Sequence, residues 1–212
     1  MEENTAQPQS LAPKPPRTRI QKAKREAILE AGLDVFSEAG FRGATLDRIA
    51  AAAGLSKPNL LYYYPSKEAI HDALLRDLLS TWLDPLTAID PDGNPLDELL
   101  GYVQRKLAMA RDFPRESRLF ANEIIQGAPH MHAHLRDGLK PLVDRMARVI
   151  DQWIADGKIA PVDPVHLIFS VWALTQHYAD FDVQVRTVLG DEDPFPGAEA
   201  HLETLFRRLL TP

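Results

Sequence analysis

Two stretches of the chain carry side chains whose types and spacing could do chemistry. The first is "SKPNLLYYYPSKEA", residues 56–69, where three consecutive tyrosines follow Lys57 and Asn59 and precede Ser66 and Lys67. Successive helical positions lie about 100° apart, so three phenol rings on one turn cannot all enter one core, and at least one hydroxyl is left facing outward. Lys57, Asn59 and the hydroxyls of Tyr62 and Tyr63 are groups that reach phosphates or base edges. Thr45 and Arg48, just upstream, can hold a nucleic-acid backbone. Ser66 and Lys67 open a helix whose unpaired N–H groups suit a phosphate. Arg19 and Lys22 belong to a basic run over 14–25, free of acids, that can track a DNA backbone or minor groove.

The second stretch is "LIFSVWALTQHYADF", residues 167–181. At helical spacing Phe169, Trp172, Ala173, Gln176 and Asp180 share one face, which is expected to be buried. A carboxamide pairs edge-on with a cyclic imide or amide, and an indole stacks on a flat ring. That combination suits a polar heterocycle the size of a nucleobase, and Trp82, far upstream, can supply a second wall. Chemistry alone leaves a plainer alternative open, in which Trp172 packs in a dimer core and Gln176 satisfies a backbone group.

The histidines admit two other chemistries. His130 and His134, with His132 between them, stand i, i+4 and could grip a metal if helical. They follow a Gly-Ala-Pro break and no third ligand is evident, so no metal ligand and no cofactor is assigned. His177 and Asp180, at i, i+3, have the types of a base and its orienter, but no nucleophile or phosphate loop accompanies them. No catalytic residue is assigned, and the chain is not read as an enzyme.

The elements that must position these groups are helices. Residues 1–16, rich in Pro, Gln, Ser and Glu, read as a disordered tail. From Arg17, Ile20, Ala27, Ile28, Ala31 and Val35 recur at helical steps until Gly40. Thr45 and Ser56 cap two short helices, 45–53 and 56–64, joined by a turn at Gly54, and Pro58 falls in the first turn of the second. Pro65 ends that helix, and Ser66 caps a long fourth one with Ile70, Leu74, Leu78 and Trp82 in register. Further helices are expected over 96–112, 115–127, 133–156, 164–180 and 198–210, with loops at 90–95, 156–164 and 190–197. The fold class is all-α, about nine helices. It divides into a three-helix helix-turn-helix unit over 17–66 and a ligand-binding and dimerisation unit over 67–212.

Charge agrees with two jobs in one chain. The 212 residues carry net charge −6, but residues 1–65 hold nine basic and seven acidic side chains, against 15 and 23 over 66–212. There is no cysteine and the start is polar and acidic, so a reducing, cytoplasmic setting is expected. The longest apolar run is too short to span a bilayer, and no membrane partner is expected.

The segment from Thr45 through Glu68 resembles the DNA-binding signature of the TetR family of bacterial repressors. The resemblance rests on Thr45, Ile49-Ala50, Ala53-Gly54-Leu55-Ser56, Leu61-Tyr62-Tyr63 and Ser66-Lys67-Glu68. It implies a homodimer that reads a near-palindromic double-stranded operator and leaves it when a small effector binds. Helices 139–155 and 165–181, with 198–210, are the candidates for the dimer seam. "RDFPRESRLFANEIIQGAP" (111–129), "GKIAPVDPVHLIF" (157–169) and "VWALTQHYADF" (171–181) further resemble the pyrimidine-utilisation regulators of that family, which implies uracil or thymine as effector. That resemblance makes Trp82, Trp172, Gln176 and His177 the leading ligand contacts, with Phe120 and Glu123 secondary; Phe169 and Asp180 join them by their place on the helical face. The rival readings are the same fold with another inducer, a small helical enzyme acting through His177 and Asp180, and a helical module that binds nucleic acid without sequence choice.

Overall fold

The computed structural model describes residues 17–212, and the expected tail over 1–16 lies outside the described residues. Helix α1 (Arg17–Gly43) buries Ile28, Ala31, Val35 and Phe36, a stripe at three- and four-residue steps. Ile20 and Ala27 are exposed, so the expected apolar stripe starts only at Ile28. Residues 19–27 are exposed among the described residues and carry Arg19, Lys22, Lys24 and Arg25. Gly40 breaks the helical geometry with φ 65, as expected of a helix-ending glycine.

Helices α2 (Leu46–Ala52) and α3 (Lys57–Tyr63) are only seven residues each, too short to be stable alone, and both are held by caps. Thr45 Oγ1 accepts from the Arg48 amide at 3.2 Å, and Ser56 Oγ accepts from the Asn59 amide at 3.4 Å. The turn between them places Gly54 at φ 64, where a Cβ would be strained. Tyr64 is extended ahead of Pro65 and ends α3. Helix α4 (Lys67–Thr87) then starts on a Ser66 cap and runs as the longest element after α1.

The remaining chain folds as α5 (Pro95–Asp112), α6 (Pro114–Ile125), α7 (His132–His134), a π-helical turn over Leu135–Leu139, α8 (Lys140–Ala155), α9 (Pro164–Asp180), α10 (Asp182–Leu189) and α11 (Pro194–Leu210). The single helix expected over 133–156 is thus interrupted by the π turn. Helix α10 is absent from the sequence reading, because its outward valines, Val183 and Val188, blur any amphipathic period. Helix α11 begins at Pro194, inside the expected loop, because the Asp193 carboxylate caps it.

Two apolar clusters organise these helices. One joins α5, α8, α9 and α11 around Tyr102, Ile150, Trp153, Ile168 and Phe206. The other runs from Ile28 and Phe36 of α1 through Ile49 and Leu60 of the short helices into Ile70, Leu78 and Trp82 of α4 and on to Leu119 of α6. This second core crosses the boundary expected at residues 66–67 without interruption. Arg115 of α6 adds ion pairs to Glu30, at 2.8 Å, and to Asp34, both on α1. At the α1–α4 crossing the two backbones approach closely, and a Cβ on Gly32 would sit 2.8 Å from the Ile70 side chain.

Candidate functional site

The three tyrosines divide between core and surface. Tyr64 is buried, with the Arg25 guanidinium 4.9 Å above its ring. Tyr62 is 74% exposed and packs edge-on against the half-buried Tyr63, ring centroids 5.1 Å apart. Leu60 is fully buried, whereas Leu61 is exposed. Helix α3 therefore presents Lys57, Asn59, Leu61 and Tyr62 on one outer surface.

The basic groups near α3 are not equivalent. Lys57 Nζ pairs with Asp47 at 2.9 Å, and Arg48 pairs with Glu38 at 3.0 Å, all four side chains 47–76% exposed. Exposed pairs of this kind contribute about 0–1 kcal/mol and exchange readily for phosphate. Arg19 and Lys22 are exposed on the α1 extension, Lys22 near Glu26 at 3.8 Å. Lys67 is different. Its ammonium donates to the carbonyls of Phe41 at 2.7 Å and Ala44 at 3.0 Å and lies 4.2 Å over the Phe41 ring. It bridges the end of α1 and the start of α4. Thr45 and Ser56 use their hydroxyls as caps.

A second site lies among the later helices. Trp82 of α4, Lys106 of α5, Phe120 of α6, Leu139 at the end of the π turn, and Trp172 and Gln176 of α9 line a small cavity of about 40 Å³, together with Leu79 and Leu83. Trp82 is buried and its Nε1–H has no partner among the described residues, so it is a free donor inside the protein. Trp172 is committed: its Nε1–H donates to the Tyr102 hydroxyl at 2.6 Å, and its ring borders the cavity. The Lys106 ammonium lies 4.8 Å over the Trp82 ring and is 2% exposed. Burial pushes it down to about 8, against a partial upward pull from Asp180.

Of the eight ligand contacts expected from the sequence, Trp82, Phe120, Trp172 and Gln176 line this cavity. The other four do not. Phe169 is 46% exposed and Ala173 is also exposed, because the deeply buried stripe of α9 is Leu167, Ile168, Val171, Thr175 and Ala179 rather than the face chosen by composition. His177 stacks on Phe181, centroids 5.1 Å apart. Asp180 is held by the Ser117 hydroxyl at 2.6 Å, and burial raises its carboxyl above the usual range. Glu123 is buried, but its carboxylate is engaged by the backbone and ring of His130.

Sequence reasoning missed Lys106. A signal was present: it sits in register with Tyr102, Val103 and Ala110 on the buried stripe of α5, where a lysine is costly without a purpose. His130 and His134 do not act as a pair. His134 is exposed, while His130 turns back toward Glu123 and His71.

Residues 28–74 match the family described as bacterial regulatory proteins, tetR family, and residues 75–212 match the YcdC-like protein C-terminal region. The HTH-type transcriptional regulator RutR of Escherichia coli strain K12 is 51% identical over 174 residues, 82% of each chain. Among solved structures, a tetR-family regulatory protein from Rhodococcus RHA1 superposes with TM-score 0.73 at 22% identity, covering 89% of this chain and 97% of its own. AibR in complex with isovaleryl coenzyme A and operator DNA superposes at 0.70 and 19% identity, covering 86% and 97%. At those identities the two structures speak for the fold alone.

Proposed function

The chain belongs to the TetR family of bacterial regulatory proteins and is a RutR-like transcriptional regulator, and on that premise we propose that it is an operator-binding repressor released by a pyrimidine such as uracil or thymine. The observation that carries the ligand reading is the cavity with a free Trp82 Nε1–H, the Lys106 ammonium and the Gln176 carboxamide around an otherwise apolar wall. A cyclic imide offers two carbonyls flanking one N–H. The Gln176 amide supplies a donor and an acceptor for one carbonyl and the N–H. Trp82 and Lys106 supply donors for the second carbonyl, and the Trp172 face covers the ring. The segment resemblance to pyrimidine-utilisation regulators supports the same class.

The proposed mechanism is a population shift. Helix α4 carries Trp82 at the cavity and begins at Ser66, next to the DNA-reading unit. A ligand that prefers one position of α4 shifts the spacing of two recognition helices in a dimer, which must match one turn of DNA. Two α3 surfaces in one homodimer bring the contacts that one short helix lacks. The seam we favour is α9 with α11, whose outer faces carry Phe169, Leu205 and Leu209, each 38–46% exposed. Helix α8, also a candidate from the sequence, turns Arg145 and Arg148 outward. No catalytic step is proposed for this site, and among the described residues no helix is long and apolar enough to cross a membrane.

The test is tryptophan fluorescence with thermal melting, titrated with uracil, thymine, cytosine, a pyrimidine carboxylate and purines. Saturable quenching and a raised melting temperature with uracil or thymine are expected. A response to the carboxylate alone would instead mean that Lys106 selects an anion, and the neutral-pyrimidine reading would fall.

A further inference from the structure

Three groups that neither the cavity nor the α3 surface uses meet at the joint between them. His71 on α4, Glu123 on α6 and His130 in the turn after α6 each bring one ligand atom within 4.8 Å of the other two. We propose that His71, Glu123 and His130 bind a borderline divalent transition-metal ion, of the zinc class, at the joint between the helix-turn-helix unit and the effector-binding helices.

His71 and Glu123 are buried without full satisfaction of their polar atoms. His71 is 2% exposed, and its Nδ1 has no partner among the described residues. A buried ring nitrogen left unpaired is costly, and a cation placed against it removes that cost. Glu123 is 4% exposed, and the one ion-pair partner it has among the described residues is the His130 ring, with no lysine or arginine. A buried carboxylate of that kind needs a positive charge beside it.

Glu123 and His130 are already oriented toward each other. The His130 backbone N–H donates to Glu123 Oε1 at 2.6 Å, which holds the carboxylate and leaves Oε2 facing His130 Nδ1 at 3.2 Å. Tetrahedral zinc with bonds of about 2.0–2.2 Å sets its ligand atoms roughly 3.3 Å apart, so this pair already has the spacing and His71 closes the remainder by side-chain rotation. Ala128 makes that turn possible by adopting φ 54, unusual for a residue with a Cβ, and swings His130 back over α6. Backbone strain held beside a ligand set is expected of a built site.

The surroundings fit a borderline metal. The chain has no cysteine, and two imidazoles with one carboxylate favour zinc, nickel or cobalt over magnesium or calcium. The Phe36 and Phe41 rings stand 4.8 Å from the His71 ring, and Phe41 stands 4.9 Å from His130, which gives an apolar shell. His130 is partly exposed beside a small cleft lined by Asp72, Arg76 and His134, which is the way in. Phe41 also gives its carbonyl to Lys67, so an ion here would load the contact that sets the helix-turn-helix unit on α4.

The experiment uses the full chain without a polyhistidine tag, stripped with chelator and titrated with Co²⁺, then Zn²⁺, with Mg²⁺ as control. Expected are about one Co²⁺ per protomer with visible d–d bands, displacement by Zn²⁺, a higher melting temperature with Zn²⁺ and no response to Mg²⁺. Glu123→Gln and His130→Gln, each checked for folding by circular dichroism, are expected to weaken Zn²⁺ binding about tenfold to a hundredfold, and His134→Gln to leave it unchanged. Absence of d–d bands and of any saturable shift at micromolar Co²⁺ or Zn²⁺ would overturn the proposal. So would binding that survives His130→Gln and disappears in His134→Gln, which would place the ion on the surface.

Discussion

The Trp172 indole donates its Nε1–H to the Tyr102 hydroxyl at 2.6 Å, across the contact between α9 and α5. Tyr102 is almost fully buried, and burial raises its hydroxyl well above the usual range, so it stays neutral and free to accept. The bond spends the only polar atom of Trp172 and fixes its ring plane at the cavity wall. Tyr102→Phe is therefore expected to cost about 1 kcal/mol of stability and to weaken pyrimidine binding several-fold by loosening the ring. Chemical denaturation and fluorescence titration of the variant check both, and unchanged affinity would show that the bond does not position the wall.

Lys106 makes a pH-dependent prediction. Its folded value is about 8 against an ordinary 10.5, so between those two pH values the unfolded chain holds a proton that the folded chain has released. Stability therefore rises with pH through that window, and at pH 7 the cost of burying the charge is present in full. Lys106→Met is expected to stabilise the ligand-free protein at pH 7 by about 1–3 kcal/mol, with the gain shrinking toward pH 10. The same variant should bind the effector more weakly. Urea unfolding of both proteins at pH 7 and pH 9.5 decides it, and a gain independent of pH would mean that folding does not shift the proton affinity of Lys106.

Lys57→Ala should separate the two sites. Removing an exposed cation from the outer surface of α3 is expected to weaken operator binding about tenfold and lower the salt slope by about one per protomer, with effector affinity unchanged. Gln176→Ala should do the reverse, losing effector response while operator binding in the absence of effector is kept. Electrophoretic mobility shifts across a salt series, paired with fluorescence titration, test this. If either variant loses both activities while still folded, the cavity and the α3 surface are not separable.

Lys67→Met tests whether that lysine is a strut. It keeps the stem on Phe41 and removes the two bonds to the Phe41 and Ala44 carbonyls. The expected result is a loss of about 1–3 kcal/mol of stability and weaker operator binding with the salt slope unchanged. A slope lower by about one would make Lys67 a phosphate contact instead.

Much of this protein was legible from local signals. Thr45, Ser56 and Ser66 cap helices in the structure as their types and spacing predict, because a cap is an interaction between residues three apart. Trp82, Phe120, Trp172 and Gln176 were named from type and resemblance and converge on one cavity. Phe169 and Asp180 were chosen by the period of α9, and period does not say which side of a helix faces which neighbour. His177, taken from the resemblance, stacks on Phe181 instead. Glu123 was placed in the wrong company because its partner, His130, is delivered by the turn at Ala128.

By itself the sequence determined the all-α class and the helix-turn-helix near the N-terminus, which follow from propensity, capping and short-range spacing acting within a few residues, and the family, which follows from the resemblance of residues 45–68. Only the tertiary structure decided that Lys106 joins the cavity, that Lys67 is a strut and that Tyr64 is core while Tyr62 is surface. It alone brings His71, Glu123 and His130 together from three separate segments. The physical reason is that burial and long-range contact depend on how whole helices pack, and side chains far apart in sequence meet only once that packing has fixed which face of each helix turns inward.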